Sequence, residues 1–353
     1  MSAIADQLRA LLPVSPDAWP QNLDPVRDLL LVIRLDAGGY RNASFLDDRI
    51  LGPGTQGAWL PVAAATAAAQ AIGRPRPLHF IFHTGHVGST LLSRLLDETG
   101  TVLGLREPLP LRTLADAYDV LGLPESLLSP SRFTELLDTL LRLWARGYES
   151  TRAVVVKATS AAGRLAVPLL QASPNSCALY LNLRAEPYLA TLLGGANSVV
   201  DLRGHAAGRM RRLCARLSAP PAPVHALSAG ELAALGWLTE TMSQHEALRA
   251  CPDRVLALDF DALLADVAGS MGRVLDHFGL TPPPGYLEGI AASRVLNRYS
   301  KAPEFEFPPG ERQARLAESR HRHRDEIARG LAWLERLART EARVAELLAA
   351  ETT

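Results

Sequence analysis

The stretch "HFIFHTGHVGSTLLSRLLDE", His79 to Glu98, decides the reading of this chain. A strand-like run from Leu78 to His83 leads into Gly85-His86-Val87-Gly88-Ser89-Thr90, and a helix-like run over Ser89–Glu98 follows with Leu92, Leu95 and Leu96 on one face. A strand that ends in a glycine turn and opens a helix points successive backbone N–H groups at one spot, where the helix dipole adds partial positive charge. Such a spot binds phosphate or sulfate. Gly85 and Gly88 let the backbone approach an anion with no Cβ in the way, while Ser89 and Thr90 supply hydroxyl donors or cap the helix. A nucleoside-triphosphate loop reads GxxxxGK[ST], its lysine reaching the β- and γ-phosphates. Here Ser89 follows Gly88 and the lysine's place is empty, so the loop alone leaves a Gly-Ser turn capping an ordinary helix as an open reading.

The 353 residues, 48% hydrophobic and 21% charged, suffice for one large α/β domain or two small ones. Lys plus Arg and Asp plus Glu number 37 each, so no global charge favours nucleic acid and any anion site must be built locally. Cys177, Cys214 and Cys251 lie far apart with no CxxC pair, which points away from a disulfide framework or a zinc site and toward a reducing cytosol. No segment reaches the ~18 apolar residues of a membrane span. The expectation is a soluble cytoplasmic protein.

Residues 1–75 read as a helical extension packed on the core, with a helix near Asp24 to Arg34, a loop through "DAGGYRN" and an Ala-rich helix near Val62 to Ile72. From residue 76 short apolar runs alternate with amphipathic stretches, the pattern of a mainly parallel sheet covered by helices on both faces. The strand candidates are Leu78–His83, Thr101–Leu105, Ala153–Lys157, Cys177–Arg184 and Arg254–Phe260, with a helix over Asp261–Phe278. An irregular or helical insertion spans about 194–230 and covers the site. After Thr281 to Gly285 the pattern is loop-like to Gly310, the end of the domain begun at 76, and a long charged helix occupies 311–353.

The loop, followed by "LREPL" at Leu105 to Leu109, resembles the start of a sulfotransferase domain that uses 3′-phosphoadenosine 5′-phosphosulfate (PAPS), nearer to bacterial and tyrosylprotein-type members than to the cytosolic aryl ones. "VVVKATS" (Val154 to Ser160) looks like that family's strand ending in an active-site lysine. "LYLNLRAEPYLATLL" (Leu179 to Leu193) is similar to its 3′-phosphate segment, and "RVLALDFDALLADVAGSMGRVLDHFGL" (Arg254 to Leu280) to its late strand and helix. The resemblance covers roughly residues 77 to 301. It implies a P-loop-type three-layer α/β/α fold, PAPS as co-substrate with no metal, and transfer of a sulfuryl group to an acceptor hydroxyl or amine on a small molecule or a peptide side chain.

It also implies site residues. Gly85, His86, Val87, Gly88, Ser89 and Thr90 cradle the donor's 5′-phosphosulfate end. Glu107 is the base that takes the acceptor proton, where spacing alone gives an ion pair with Arg106 or Arg112. Lys157, at a strand's carboxyl edge, stabilises charge on the transferring group; the plainer reading is a lysine snorkelling to solvent. Arg184 ends a strand and its fork suits the 3′-phosphate, but the family's serine two turns later is matched by Leu192, with the hydroxyl of Thr191 one residue away. His86 stands where the family has Lys or Arg, either as a weaker electrophile or as a spectator. Arg298 and Lys301 in "NRYSKAP" (Asn297 to Pro303) are further 3′-phosphate candidates, or an exposed loop. His321 and His323 are two apart and cannot share a helical face, so "SRHRHRDE" reads as a solvated helix surface.

Two other classes remain open from sequence. A nucleotide-dependent kinase would use Asp259 and Asp261 for magnesium, and a non-catalytic member would bind a nucleotide or a protein partner without turnover.

Overall fold

Helix α1 (Ala3–Leu11) precedes strands β1 (Ala18–Asp24), β2 (Leu29–Arg34) and β3 (Gly57–Pro61), with helix α2 (Ala37–Asn42) inside the last connection and α3 (Val62–Gln70) after it. This is a computed structural model, and it describes residues 3–195, 198–302, 304–308 and 310–350. The three strands form an antiparallel sheet in the order β1-β2-β3. The helix expected near 24–34 is therefore a strand. "LLLVIR" is a continuous apolar run with β-branched Val32 and Ile33, and it pairs on both sides, Leu31 opposite Asn22 and Trp59. "DAGGYRN", expected as a loop, forms α2 because the Asp36 carboxylate accepts the Gly39 N–H at 2.7 Å and caps it.

The second sheet is parallel throughout, in the order β5-β6-β4-β7-β8. Its strands are β4 (Leu78–His83), β5 (Val102–Arg106), β6 (Ala153–Lys157), β7 (Ala178–Asn182) and β8 (Val255–Asp259), each within two residues of its expected ends. Between them run α4 (Ser89–Asp97), α5 (Leu109–Tyr118), α6 (Pro130–Trp144), α7 (Ala166–Ala172), α8 (Ala185–Leu193), α9 (Ser198–Cys214) and α10 (Ala229–Ala250). The insertion expected over 194–230 is mostly α9; Ala196 and Asn197 in it lie outside the described residues. After β8 the single expected helix is split into α11 (Phe260–Ala265) and α12 (Val267–His277), because Asp266 leaves the helical region and its carboxylate accepts the Gly269 N–H at 2.9 Å.

The long C-terminal helix is likewise three: α14 (Glu311–Arg322), α15 (Arg324–Ala338) and α16 (Ala342–Ala350), after the short α13 (Tyr286–Gly289). His323 leaves helical geometry between the first two, with His321 exposed in the last turn of α14. Among the described residues no helix is long and apolar enough to cross a membrane.

Alternation along the strands builds two cores. Phe80, Phe82, Val154, Val156, Ala178 and Tyr180 point into one, which continues through Trp19, Val32 and Leu60 of the antiparallel sheet. Ile81, Val155, Leu179 and Leu181 point into the other, with α8, α10 and α12. Burial on both faces explains why these strands read as continuous apolar runs. All carboxyl ends of a parallel sheet share one edge, where open α/β sheets bind ligands. The loop after β4, Glu107 after β5, Lys157 at the end of β6 and Arg184 after β7 therefore all lie along that edge.

Candidate active site

The loop between β4 and α4 bends through three left-handed residues, Gly85 (φ 110°), His86 (φ 55°) and Gly88 (φ 74°). As a result the backbone N–H groups of Gly85 through Leu91 meet no acceptor among the described residues, and the first bond of the helix is Leu92 N–H to the Gly88 carbonyl at 3.0 Å. Ser89 and Thr90 are buried, and Thr90 Oγ1 has no partner among the described residues. Val87 is fully buried and anchors the loop in the core. Buried backbone donors are normally paired, so seven successive unpaired N–H groups at a helix N-terminus form a cradle for an anion. Gly88 is required twice over, by its φ and because a Cβ there would lie 2.0 Å from Phe260 Cε2.

Glu107 also holds a left-handed backbone (φ 55°). Its N–H donates to the Lys157 carbonyl at 2.7 Å, extending the β5–β6 pairing by one residue. Its carboxylate forms a hydrogen-bonded ion pair with the Lys157 ammonium, whose side chain is 1% exposed. The partner considered from sequence, Arg106, is engaged elsewhere: it pairs with Asp97 and donates to the carbonyls of Ala43 and Arg41 at 2.7 and 3.0 Å. Arg112 meets no carboxylate among the described residues. Burial pushes the Lys157 ammonium below its ordinary value, and the Glu107 charge partly holds it up. Lys157 thus does not snorkel to solvent.

Lys301 enters the same neighbourhood. Its loop is tied down by Arg94 of α4, which donates to the Ser300 carbonyl at 2.8 Å and to Ser44 Oγ at 2.8 Å. Burial and then the Lys157 charge push Lys301 down, with Glu107 opposing. His86 sits at an exposed position on the loop, yet the protein surrounding it, followed by Lys301, Arg209 and Lys157, pushes its imidazole below the ordinary value. The cations whose charge His86 feels at this edge are thus Lys301, Arg209 and Lys157. Behind them the buried His83 sets Nε2 3.0 Å from the Ala158 carbonyl, with burial holding its pKa well below the usual range.

Arg184 is the N-cap residue of α8, exposed, and its side chain has no hydrogen bond or ion pair among the described residues. It lines a cleft of about 1360 Å³ with Asp261, Asn297, Arg312 and Arg320. Neither Glu107 nor Lys157 lines this cleft among the described residues; Phe260 packs against Gly88 and lies under the Arg312 guanidinium, 4.8 Å away. Thr191 spends its hydroxyl on the Pro187 carbonyl at 2.7 Å, inside its own helix. Arg298 is held in its own hairpin, 3.3 Å from the Glu304 carbonyl and 3.9 Å from Glu306. Lys301 therefore joins Lys157, and Arg298 does not accompany it. Pro303 of that segment lies outside the described residues.

Three contributors carried no motif. Phe45 sits 5.9 Å (ring centroid) from Lys157 Nζ, and Arg49 stacks on the same ring at 3.6 Å. They come from the segment after α2, pinned when Leu46 N–H donates to the Arg106 carbonyl at 2.6 Å. Arg209 of α9 packs beside Gly236, next to the Tyr188 hydroxyl that borders Gly85. Phe45 and Arg49 lie in a segment with no sequence signal, whereas Arg209 lies in the Arg-rich "RGHAAGRMRRLCAR", which from sequence reads either as a contact to an anionic acceptor or as an exposed helix.

No family model matches the chain, and no curated protein matches it. Solved structures do. The sulfotransferase domain from the curacin biosynthetic pathway is 16% identical, covering 67% of this chain and 85% of that one, with a TM-score of 0.38. The sulfotransferase from Alicyclobacillus acidocaldarius is also 16% identical, over 74% of this chain and 99% of that one, with a TM-score of 0.36. Retinol dehydratase in complex with retinol and PAP is 11% identical, over 78% and 88%, with a TM-score of 0.32. The solved chains this protein is similar to thus include sulfotransferases, the family its sequence motifs resemble.

Proposed function

We propose that this protein transfers a sulfuryl group from PAPS to an acceptor hydroxyl or amine. The observation that carries the reading is the cradle of unpaired N–H groups from Gly85 to Leu91 set beside the buried Lys157–Glu107 pair. The first holds an anion without a lysine or a metal; the second offers a cation and a carboxylate at the same strand ends.

The residues fit the donor. The loop N–H groups and the unpartnered Thr90 hydroxyl suit the 5′-phosphosulfate end, and the unpaired Arg184 fork suits the 3′-phosphate. Thr191 adds nothing while its hydroxyl stays on Pro187. PAPS supplies an activated sulfuryl group on a phosphate able to leave. Glu107 accepts the proton of the attacking hydroxyl. Lys157, with Lys301 beside it, neutralises negative charge at the oxygen that departs, a preorganised electrostatic contribution. His86 donates one hydrogen bond at the loop.

The kinase alternative loses its acidic pair. Asp259 caps α11 by accepting the Ala262 N–H at 2.9 Å, and Asp261 binds Arg312 at 2.6 Å. The test is thermal stabilisation by 3′,5′-adenosine bisphosphate (PAP) compared with ADP plus magnesium. Stabilisation by PAP supports sulfuryl transfer; stabilisation by ADP plus magnesium alone would sink it. A binding module is separated from an enzyme by Glu107→Ala, which abolishes turnover in the enzyme and leaves PAP affinity in place.

A further inference from the structure

The residues on either side of Phe45 are pinned one after another. The Ala43 carbonyl accepts Arg106 Nε at 2.7 Å, Ser44 Oγ accepts Arg94 Nη2 at 2.8 Å, and the Leu46 N–H donates to the Arg106 carbonyl at 2.6 Å. Leu46 is completely buried, and the Asp47 carboxylate next to it takes Arg49 Nε and Nη2 at 2.8 and 2.5 Å. Phe45 itself stays partly exposed. An aromatic ring left partly open to solvent while its neighbours are fixed has the rigid support that a binding wall needs.

The ring stands at the Lys157–Glu107 pair. Its centroid is 5.9 Å from Lys157 Nζ, and that ammonium is bonded to the Glu107 carboxylate. A hydroxyl that gives its proton to Glu107 must come within hydrogen-bond reach of it, about 2.6–3.2 Å, so a skeleton extending from that hydroxyl toward β5 lies beside Phe45. Strand order says which substrate takes this side. Along the carboxyl edge the order is β5, β6, β4, β7, so Glu107, Lys157, the glycine loop and Arg184 follow one another. A donor held by the loop and Arg184 occupies the β4–β7 half. The Phe45 segment is bonded to the end of β5, three strand steps from β7, roughly 14 Å at the usual strand spacing. The β5 side is the one left for the acceptor.

This wall has no net charge. Arg49 stacks on the ring at 3.6 Å, and its guanidinium is neutralised by the two bonds to Asp47. An aromatic surface beside the catalytic pair favours a partner that is itself aromatic, because ring pairs gain beyond the area they bury.

We propose that Phe45 is a specificity-determining residue and that the acceptor carries its hydroxyl on an uncharged aromatic group, a phenol or a benzylic alcohol, whose ring packs on Phe45. This rests on the sulfuryl-transfer reading of the same site. Phe45 precedes the part of the chain that resembles sulfotransferases, so the wall is supplied by the amino-terminal segment.

The test compares benzyl alcohol with cyclohexylmethanol, primary alcohols of similar size and acidity that differ in the aromatic ring, as acceptors with PAPS and as ligands titrated onto the protein saturated with PAP. Benzyl alcohol should be preferred by about three- to tenfold in kcat/KM and in affinity, the margin of an aromatic pair. Phe45→Leu keeps an apolar side chain and should erase the preference, chiefly by raising the KM for benzyl alcohol, and Phe45→Trp should keep it, with PAP affinity within about twofold in both. Should Phe45→Leu fail to fold, Phe45→Val reads the same preference. A ring that merely shields Lys157 behaves otherwise: Phe45→Leu then lowers kcat for both alcohols alike and leaves their ratio unchanged. That result, equal use of the two alcohols by the unaltered protein, or no binding of either where PAP does bind would overturn the inference and leave sulfuryl transfer standing. Absence of PAP binding in the unaltered protein overturns both.

Discussion

Lys157 and Glu107, 50 positions apart, close an ion pair at the ends of adjacent parallel strands, and the backbone reinforces it through the Glu107 N–H to Lys157 carbonyl bond at 2.7 Å. Each group has a task that the other makes possible. Without Glu107 the ammonium would be buried alone; without Lys157 the carboxylate would have no fixed direction.

Glu107→Gln should lower kcat by about 10²- to 10⁴-fold, the usual contribution of a positioned base, with PAP stabilisation kept. Glu107→Ala also changes the pH dependence of stability. Lys157 is already pushed below 10.5 by burial, and removing the Glu107 charge lowers it further. Between that folded value and 10.5 the unfolded chain binds a proton the folded one lacks, so stability rises with pH. The deficit of Glu107→Ala relative to the unaltered protein is therefore largest near neutrality and shrinks toward pH 10. Melting temperatures of both proteins at pH 7 and 9.5 check this; a deficit that widens with pH contradicts it.

The strand ends were legible in the sequence because a parallel sheet buried on both faces leaves unbroken apolar runs. A charged residue closing such a run, as Lys157 does after Val154-Val155-Val156, has only the sheet edge to occupy. The amino-terminal sheet was not legible by the same rule, since "LLLVIR" fits a buried helix or strand and only its pairing with Trp59 and Asn22 decides. Phe45 and Arg49 were hidden for a different reason. Their place depends on a tertiary clamp, Arg106 on the carbonyls of α2, that no local pattern encodes.

Arg106 is one such clamp and should be expensive to remove. Its side chain is fully buried, paired with Asp97 and bonded to carbonyls of the segment that carries Phe45. Burial already raises the Asp97 pKa despite the arginine. Arg106→Ala leaves that carboxyl and at least two carbonyls unpaired, a loss of about 3–5 kcal/mol by analogy with broken buried pairs. Arg112→Ala, on the exposed face nearby, should stay within about 0.5 kcal/mol. Urea denaturation of the two variants separates them, and comparable midpoints would refute the clamp.

His79 gives a second pH signature, remote from the chemistry. At the start of β4 its Nδ1 accepts the Cys177 N–H at 3.1 Å and its ring stacks on Phe278 at 4.7 Å. Burial, then the neighbouring His277, lowers its pKa to about 4. A depressed folded value means the unfolded chain takes up the proton first as pH falls. The contribution is whole above 6.5 and is lost between 6.5 and 4, on the order of 3 kcal/mol across that window. His79→Gln should flatten the fall of melting temperature between pH 7 and 5, at some cost at pH 7. An unchanged slope would place the acid sensitivity elsewhere, with the buried His83 the next group to test.

Gly88 separates backbone strain from site geometry when set beside Gly122. Both have left-handed φ, 74° and 83°, but a Cβ on Gly122 meets nothing within 4 Å whereas one on Gly88 runs into the Phe260 ring at 2.0 Å. Gly122→Ala therefore carries backbone strain alone, roughly 1 kcal/mol, and should leave PAP binding untouched. Gly88→Ala carries the same strain, displaces Phe260 and turns the N–H groups of the cradle away from their common point. It should cost more stability and weaken PAP more than about tenfold, as expected when a few charged hydrogen bonds are lost. Adding Phe260→Leu removes the collision without changing φ, so stability should partly return while PAP affinity stays low. Recovery of both together would show that Phe260, and not the left-handed turn, sets the cradle.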